Sequence, residues 1–472
     1  MPEKQVFIVV STGQNVANLP PVLECADAGD CVLWIESGEA RQKNWSAGAR
    51  EVFARQGLAN HPAAVEVADI NDPVQVAERL RPVVAGFGEG HVFNLVANGG
   101  PKLTPIGMLN ACRGLPSRLL YGNPQPAELW IFDGGMERAP EKRPYTRHRL
   151  DLPDILAAGG LVLLESALLP LDGGPIAIPS GYGRDAESTG RVHAQYHRYH
   201  QSAMDRQSPE TSFDDMQALL QKRQLRGEAY EAWLKALAPL FQSGFSQGVK
   251  QPANAVPAGA DIAKAWQKKP GFMAAVYQAT CALAKAAARA KARGGASLDA
   301  PEIHLGQVFE QAVAARLLAH LQARPDLRSV IQSVWQNVKI AQAASPRTVA
   351  AEWDIVIVLD SGIVLSVECK SFSVEQKDWD ARLLNLLRAG SQAKMLICGP
   401  LYTSFAEEPW FAAMHTLKER AGKDFLPFTL AGQPEAYRVA DARGGNRHYA
   451  CPSFESELAR WLAGYVPKPA DT

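Results

Sequence analysis

At 472 residues the chain is long enough for two or three domains, and 49 basic side chains against 49 acidic ones leave no net charge. That balance excludes a protein whose whole surface is basic, so any nucleic-acid-binding surface has to be a local patch. No apolar run approaches a membrane span and no basic–apolar leader opens the chain, so a cytoplasmic protein without membrane contact is expected. Gln5–Ser11 is apolar and β-branched enough for a buried strand, and further strands are read over Asp30–Ser37, Ala63–Ile70 and His91–Ala97. Between and after them helices are expected over Leu19–Ala28, Arg41–Leu58, Asp72–Ala85 and Pro105–Arg113, with Ser117–Asn123 and Ala127–Gly134 as closing strands. Near-continuous apolar strands alternating with helices make a parallel sheet covered on both faces, so residues 1–150 read as a Rossmann-like α/β domain.

Such sheets take ligands beyond the carboxyl ends of their strands, where loops meet helix N-termini. Two loops are suited to that. Thr12-Gly13-Gln14-Asn15 follows the first strand, and Asn98-Gly99-Gly100-Pro101-Lys102-Leu103-Thr104 follows the fourth. Gly99 and Gly100 permit close approach of a ligand to the backbone, while Lys102 and Thr104 offer charge and hydrogen bonds. Neither loop carries a dinucleotide-binding glycine pattern or a P-loop, which argues against a nicotinamide or flavin cofactor and against an NTPase. Both segments also fit ordinary strand-to-helix turns.

Residues 151–300 read as a linker and helical insertion. Leu152–Leu171 is apolar enough for a helix and a strand packed against the first domain, and Asp172–Gly190 reads as loop. Two helices are expected over Phe213–Phe241, a linker over Gln251–Gly259 and an alanine-rich basic helix over Gly271–Arg293. In Arg191–His200, helical spacing places His193, His197 and His200 on one face. Three readings are open to that face: a metal site, a nucleic-acid contact with Tyr196, Arg198 and Tyr199, or a solvated polar surface. The seven cysteines are odd in number and contain no C-x-x-C pair, which argues against structural zinc and a disulfide framework.

The third region, 301–472, carries the chemistry. Leu305–Leu321 reads as an amphipathic helix with Glu310 at the margin of its apolar stripe, followed by a strand over Ser329–Ile340. Ala351–Phe372 then reads as a hairpin: Ile355-Val356-Ile357-Val358, a turn of Asp360-Ser361-Gly362, and a second strand ending in Glu368-Cys369-Lys370. Alternation puts Glu368 and Lys370 on one face and Cys369 on the other. A three-residue loop with Gly362 left-handed pairs Asp354 with Glu368, whereas a two-residue loop pairs it with Cys369 and turns its carboxylate away. In the first register two carboxylates and an ammonium share a face at the end of strongly apolar strands. Such carboxylates repel, and one takes up a proton unless a cation bridges them. Oxygen donors suit Mg²⁺ or Mn²⁺, and the lysine is then placed to orient or deprotonate a water or to stabilise charge on a phosphate. A helix over Trp379–Arg388 and a strand over Lys394–Cys398 follow.

The Asp…Glu-x-Lys arrangement resembles the PD-(D/E)XK nuclease superfamily, and helix, strand, hairpin, helix, strand is the element order of its restriction-endonuclease-like fold. Joined to the loop in FNLVANGGPKLTPIGML, it resembles the CRISPR ancillary nucleases that carry an N-terminal CARF sensor domain. The resemblance covers about residues 1–150 and 301–400. It implies a homodimer whose paired CARF domains bind a cyclic oligoadenylate, most often cyclic tetra-adenylate. It implies a metal-dependent endonuclease that then cuts DNA, RNA or both with little sequence preference, in type III CRISPR antiviral defence. Carried over, the catalytic set is Glu310, Asp354, Glu368 and Lys370, with the metal held by Glu310, Asp354, Glu368 and the backbone carbonyl of Cys369. The ligand contacts fall on Thr12, Gly13, Gln14, Asn15, Asn98, Gly99, Gly100, Lys102 and Thr104. Two other readings stay open: a restriction- or repair-type nuclease whose first domain senses something else, and a non-enzymatic sensor with a degenerate nuclease domain.

Overall fold

The structure, a computed structural model, describes residues 4–147, 150–172, 305–370, 376–400, 421–428, 435–440, 446–451 and 453–467. The expectations for His193, His197 and His200, and for the helices and linker between 173 and 304, lie outside the described residues.

The expected α/β class is what the chain adopts. Its first part runs β1 (Lys4–Val10), a 3₁₀ turn Asn15–Asn18, α1 (Leu19–Cys25), β2 (Cys31–Glu36), α2 (Gly38–Gln42) and α3 (Ala47–Arg55). It continues through β3 (Ala59–Asn60), β4 (Val65–Glu66), α4 (Pro73–Ala85), β5 (His91–Val96), α5 (Thr104–Ala111), β6 (Ser117–Asn123), β7 (Glu128–Asp133) and β8 (Glu141–Pro144). The sheet order is β3-β2-β1-β5-β6-β7-β8, with β4 also on β2. β1, β2, β5 and β6 are parallel, and β7 and β8 close the sheet antiparallel. Along β1, Phe7 and Val9 enter one core while Val6, Ile8 and Val10 enter the other, as a strand buried on both faces requires.

Local chemistry moves two boundaries. The single helix expected over Arg41–Leu58 is broken in two at Asn44, whose φ of 48° is left-handed and which an asparagine adopts at small cost. The strand expected over Ala63–Ile70 shrinks to Val65–Glu66, because Asp69 and Asp72 bond to backbone amides there and begin α4 instead: Asp72 accepts from Val74 N–H at 2.8 Å.

The second part begins with α6 (Leu152–Ala158) and β9 (Leu161–Leu169) and resumes at α7 (Leu305–Ala323) and α8 (Pro325–Arg328). Then come β10 (Ile331–Gln342), β11 (Ser345–Leu359), β12 (Val364–Cys369), α9 (Gln376–Leu386), β13 (Lys394–Pro400) and β14 (Phe425–Phe428). A separate ribbon of β15 (Glu435–Ala440) and β16 (Asn446–Cys451) precedes α10 (Phe454–Ala463). The second sheet is ordered β14-β13-β12-β11-β10-β9. Of the helix and strand expected over Leu152–Leu171, the helix does pack on the first domain: a Cβ on Gly48 of α3 would lie 1.8 Å from the Ala157 carbonyl oxygen. The strand does not stay with it. β9 is hydrogen-bonded to β10 as the edge of the second sheet.

The two sheets share one apolar core. Phe7, Val9 and Trp34 of the first sheet, Leu152, Ile155 and Leu156 of α6, and Val338, Trp353 and Val356 of the second sheet form a single buried cluster. Close backbone approaches lock the joint: a Cβ on Gly159 would meet the Arg388 carbonyl oxygen at 2.3 Å, and Ala127 N–H donates to the Tyr465 carbonyl at 2.9 Å. Among the described residues, no helix is long and apolar enough to cross a membrane.

Candidate active site and ligand loops

The hairpin turn decides the site. Leu359 N–H donates to the Ile363 carbonyl at 2.9 Å and Gly362 N–H to the Leu359 carbonyl at 2.8 Å, with Gly362 at φ 77°. This is the three-residue loop, and the ladder that follows pairs Val358 with Val364, Ile357 with Leu365, Val356 with Ser366 and Ile355 with Val367. One further step sets Asp354 opposite Glu368, so both side chains leave the same face. Asp354 is 9% exposed and Glu368 is 1% exposed.

Lys370 Nζ stands 2.6 Å from Glu368 Oε1. Asp354 Oδ2 accepts from Cys369 N–H at 2.7 Å. Glu310, half-buried on α7, completes the cluster. Burial first, and then the Glu368 carboxylate, push Glu310 up to about 7. Burial, then Glu368 and Glu310, also raise Asp354 well above the usual carboxylate range, against the pull of Lys370 and Arg382. Glu310, Asp354, Glu368 and Lys370 are therefore brought together, and the acids repel one another as the sequence predicts. Cys369 is buried, and its register partner in β13 is Cys398.

Two residues of this site carry no motif. Arg382 on α9 reaches across, its Nη1 in contact with Glu368 Oε1 and 3.9 Å from Asp354 Oδ1. Asn337 of β10 lies between the register pairs Gln336–Ile355 and Val338–Trp353, hence beside Asp354, with a left-handed φ of 51°. An asparagine inside an apolar strand is the one signal that pointed to a bend there.

The donor set fits a divalent cation in its chemistry. It consists of carboxylate oxygens, and Glu368 Oε2 is buried with no hydrogen-bond partner among the described residues. As the side chains stand, no three His, Cys, Asp or Glu residues among the described ones converge on one point. The reason is visible. Lys370 and Arg382 draw Glu368 Oε1, and Cys369 N–H draws Asp354 Oδ2.

The two loops of the first sheet lie together at the carboxyl ends of β1 and β5. Several side chains are spent on shaping them. Asn15 Oδ1 accepts from Thr12 N–H at 2.9 Å and Asn15 Nδ2 donates to the Trp45 carbonyl at 2.7 Å, while Thr12 Oγ1 accepts from Gln14 N–H at 3.1 Å. Asn98 exchanges two bonds of 2.7 Å with the backbone of Gly122, and Thr104 Oγ1 donates to the Ile70 carbonyl at 2.9 Å. Gly99 is buried against Asn18, and Gly100 holds φ 84° against Val10. Gly13, Gln14, Gly100 and Lys102 are the exposed members of the set. Ser11 Oγ, at the head of the first loop, and Asn18 Oδ1, which the sequence did not single out, are buried here without partners among the described residues.

A cavity of about 210 Å³ joins these loops to the hairpin. Gln14, Asn98 and Tyr121 line one side, Ser361, Gly362 and Gln392 the other. The contact beside it is tight, since a Cβ on Gly362 would lie 2.8 Å from Leu150 and from Pro20.

The architecture has solved counterparts. Protein VC1899 from Vibrio cholerae aligns with a TM-score of 0.58 at 13% identity, covering 98% of this chain and 99% of its own. Can2 from Sulfobacillus thermosulfidooxidans, solved in complex with cyclic tetra-adenylate, aligns with a TM-score of 0.51 at 13% identity, covering 98% of this chain and 100% of its own. At that identity the likeness is one of fold. No protein-family model matches the sequence, and no curated protein does.

Proposed function

We propose that the chain is a metal-dependent endonuclease switched on by a cyclic oligoadenylate, cyclic tetra-adenylate first among them, and cutting DNA or RNA with little sequence preference in antiviral defence. The observation that carries the reading is the pairing of Asp354 with Glu368, both buried, with Lys370 Nζ 2.6 Å from Glu368. Asp354, Glu368, Glu310 and the Cys369 carbonyl would hold Mg²⁺ or Mn²⁺. When bound, the ion acidifies a water and neutralises charge on the scissile phosphodiester. Lys370 would orient the attacking water and face the charge that builds on the phosphate as an ammonium, or, after losing its own proton to solvent, would take up the water's proton as a neutral amine. The apolar strands beneath keep the carboxylates from competing water.

The sensor reading is supported by the exposed Gly13, Gln14 and Lys102 at the strand ends and by the fold shared with a protein solved on cyclic tetra-adenylate. A cyclic ligand with repeated phosphates calls for the same loop twice, which a two-fold dimer supplies. The face beside the Gly99-Gly100 loop is suited to that: Val74 is 61% exposed, Leu103 48% and Ile106 47%, where Gly107 packs on α4. Ile106→Asp is expected to convert a dimer to a monomer in light scattering and to abolish activation.

The deciding experiment is cleavage of supercoiled DNA and single-stranded RNA with Mg²⁺ or Mn²⁺, across cyclic tri-, tetra- and hexa-adenylate. Metal-dependent cutting that rises with one of these rings is expected. Equal cutting with and without them would return the first domain to another ligand, and no cutting under any condition would leave a binding module.

A further inference from the structure

The unexpected member of the site is Arg382. Its Nη1 meets Glu368 Oε1 and stands 3.9 Å from Asp354 Oδ1, so the guanidinium lies between the two acids that face each other across the hairpin. A carboxylate pair this deeply buried needs a cation beside it. Lys370 serves Glu368, at 2.6 Å, whereas Arg382 stands within ion-pair reach of both acids. The Arg382 side chain is also 30% exposed where that of Glu368 is 2% exposed, so it enters from the open side of the site.

We propose that Arg382 is a resident counter-cation, holding the place of the divalent ion between Asp354 and Glu368 until the ion displaces it. This rests on the nuclease reading. The guanidinium neutralises one charge where the metal neutralises two, so the ion wins, but only after breaking the arginine contact. Arg382 thereby weakens metal binding in the resting protein. Its planar fork suits phosphate as well as carboxylate, and its freed end lies at the mouth of the site, so the displaced side chain becomes a positioning residue for the phosphodiester.

The test is Mn²⁺ binding by the full-length protein without nucleic acid, read from the electron paramagnetic resonance signal of free Mn²⁺. Arg382→Gln is expected to bind Mn²⁺ about tenfold tighter than wild type, because a positive charge has left the ion's immediate surroundings. Arg382→Lys, which keeps the charge, is expected to stay within about twofold of wild type. In cleavage assays at saturating Mn²⁺, Arg382→Gln should raise KM for duplex DNA several-fold, the opposite direction from its metal affinity. Should Arg382→Gln fail to fold, wild-type crystals soaked in Mn²⁺ decide the same point: the ion near Asp354 and Glu368, with the guanidinium moved off Glu368, is expected. Unchanged or weaker Mn²⁺ affinity in Arg382→Gln, or an ion bound with Arg382 still on Glu368, overturns the inference while leaving the nuclease reading intact. A wild-type protein that neither binds Mn²⁺ nor cuts overturns both.

Discussion

Asp354 and Glu368 are buried beside the half-buried Glu310 and the partly exposed Lys370 and Arg382, and their charges make the first predictions. Lys370→Ala removes the ammonium 2.6 Å from Glu368 and is expected to slow cleavage by on the order of 100-fold or more, with activator affinity unchanged in a binding titration. Glu310 gives a pH signature. Its carboxyl is pushed from an ordinary 4.5 to about 7 in the fold, so folding favours the protonated form. That contribution is complete below pH 4.5 and is lost as pH rises through about 7. Without divalent metal, the urea-unfolding free energy of wild type should therefore fall between those limits relative to Glu310→Gln, by on the order of 1–3 kcal/mol. A parallel pH dependence in the two proteins would remove Glu310 from the cluster. Glu368 and Lys370 were legible as neighbours because strand alternation fixes which side chains share a face, whereas Asp354 joined them only through the turn and Glu310, on a helix, only through the margin of its apolar stripe and the family resemblance. Arg382 was not, because it comes from a helix whose rotation against the sheet no local pattern sets. Nor does sequence tell a ligand-facing asparagine from Asn15 or Asn98, whose carboxamides are turned onto the Trp45 and Gly122 backbones.

At the scale of elements, the hairpin was readable as two strands about a turn, although its first strand starts earlier than expected, at Ser345. Two registers were open, and the choice rested on whether Gly362 supplies a left-handed position, which it does at φ 77°. Gly362→Ala is expected to lower stability by about 1–3 kcal/mol, from the left-handed backbone and from a Cβ 2.8 Å from Leu150 and Pro20. Denaturant unfolding checks the loss. A neutral substitution would mean that the turn is free to change type, and with it the pairing of Asp354 and Glu368. β9 was legible as a strand but not as a member of the second sheet. Its ladder to β10 joins residues as far apart in sequence as Glu165 and Lys339, and no local signal carries such a pairing. The break at Asn44 was missed for the opposite reason: helical periodicity continues through it, and one left-handed residue overrides the pattern.

At the scale of the whole molecule, the shared core makes a claim about coupling. Val16 of the first loop lies against Gly390, Pro20 and Leu150 close on Gly362, and Trp34 and Trp353 belong to one apolar cluster. If the two sheets open together, whatever stabilises the loops after β1 and β5 must stabilise the β11–β12 hairpin by the same amount. If the loops take cyclic tetra-adenylate as proposed, the ligand at about 100 times its dissociation constant adds about 2.7 kcal/mol, which slows globally opening amides by about a hundredfold. Native-state hydrogen exchange then separates two cases. A common slowing of β5 and of β11–β12 is expected, since Val96 of β5 and Val356 and Val364 of the hairpin belong to one buried cluster. Slowing confined to β5 would show that the second sheet opens alone, and activation would have to travel through a change of shape at the 210 Å³ cavity rather than through shared stability.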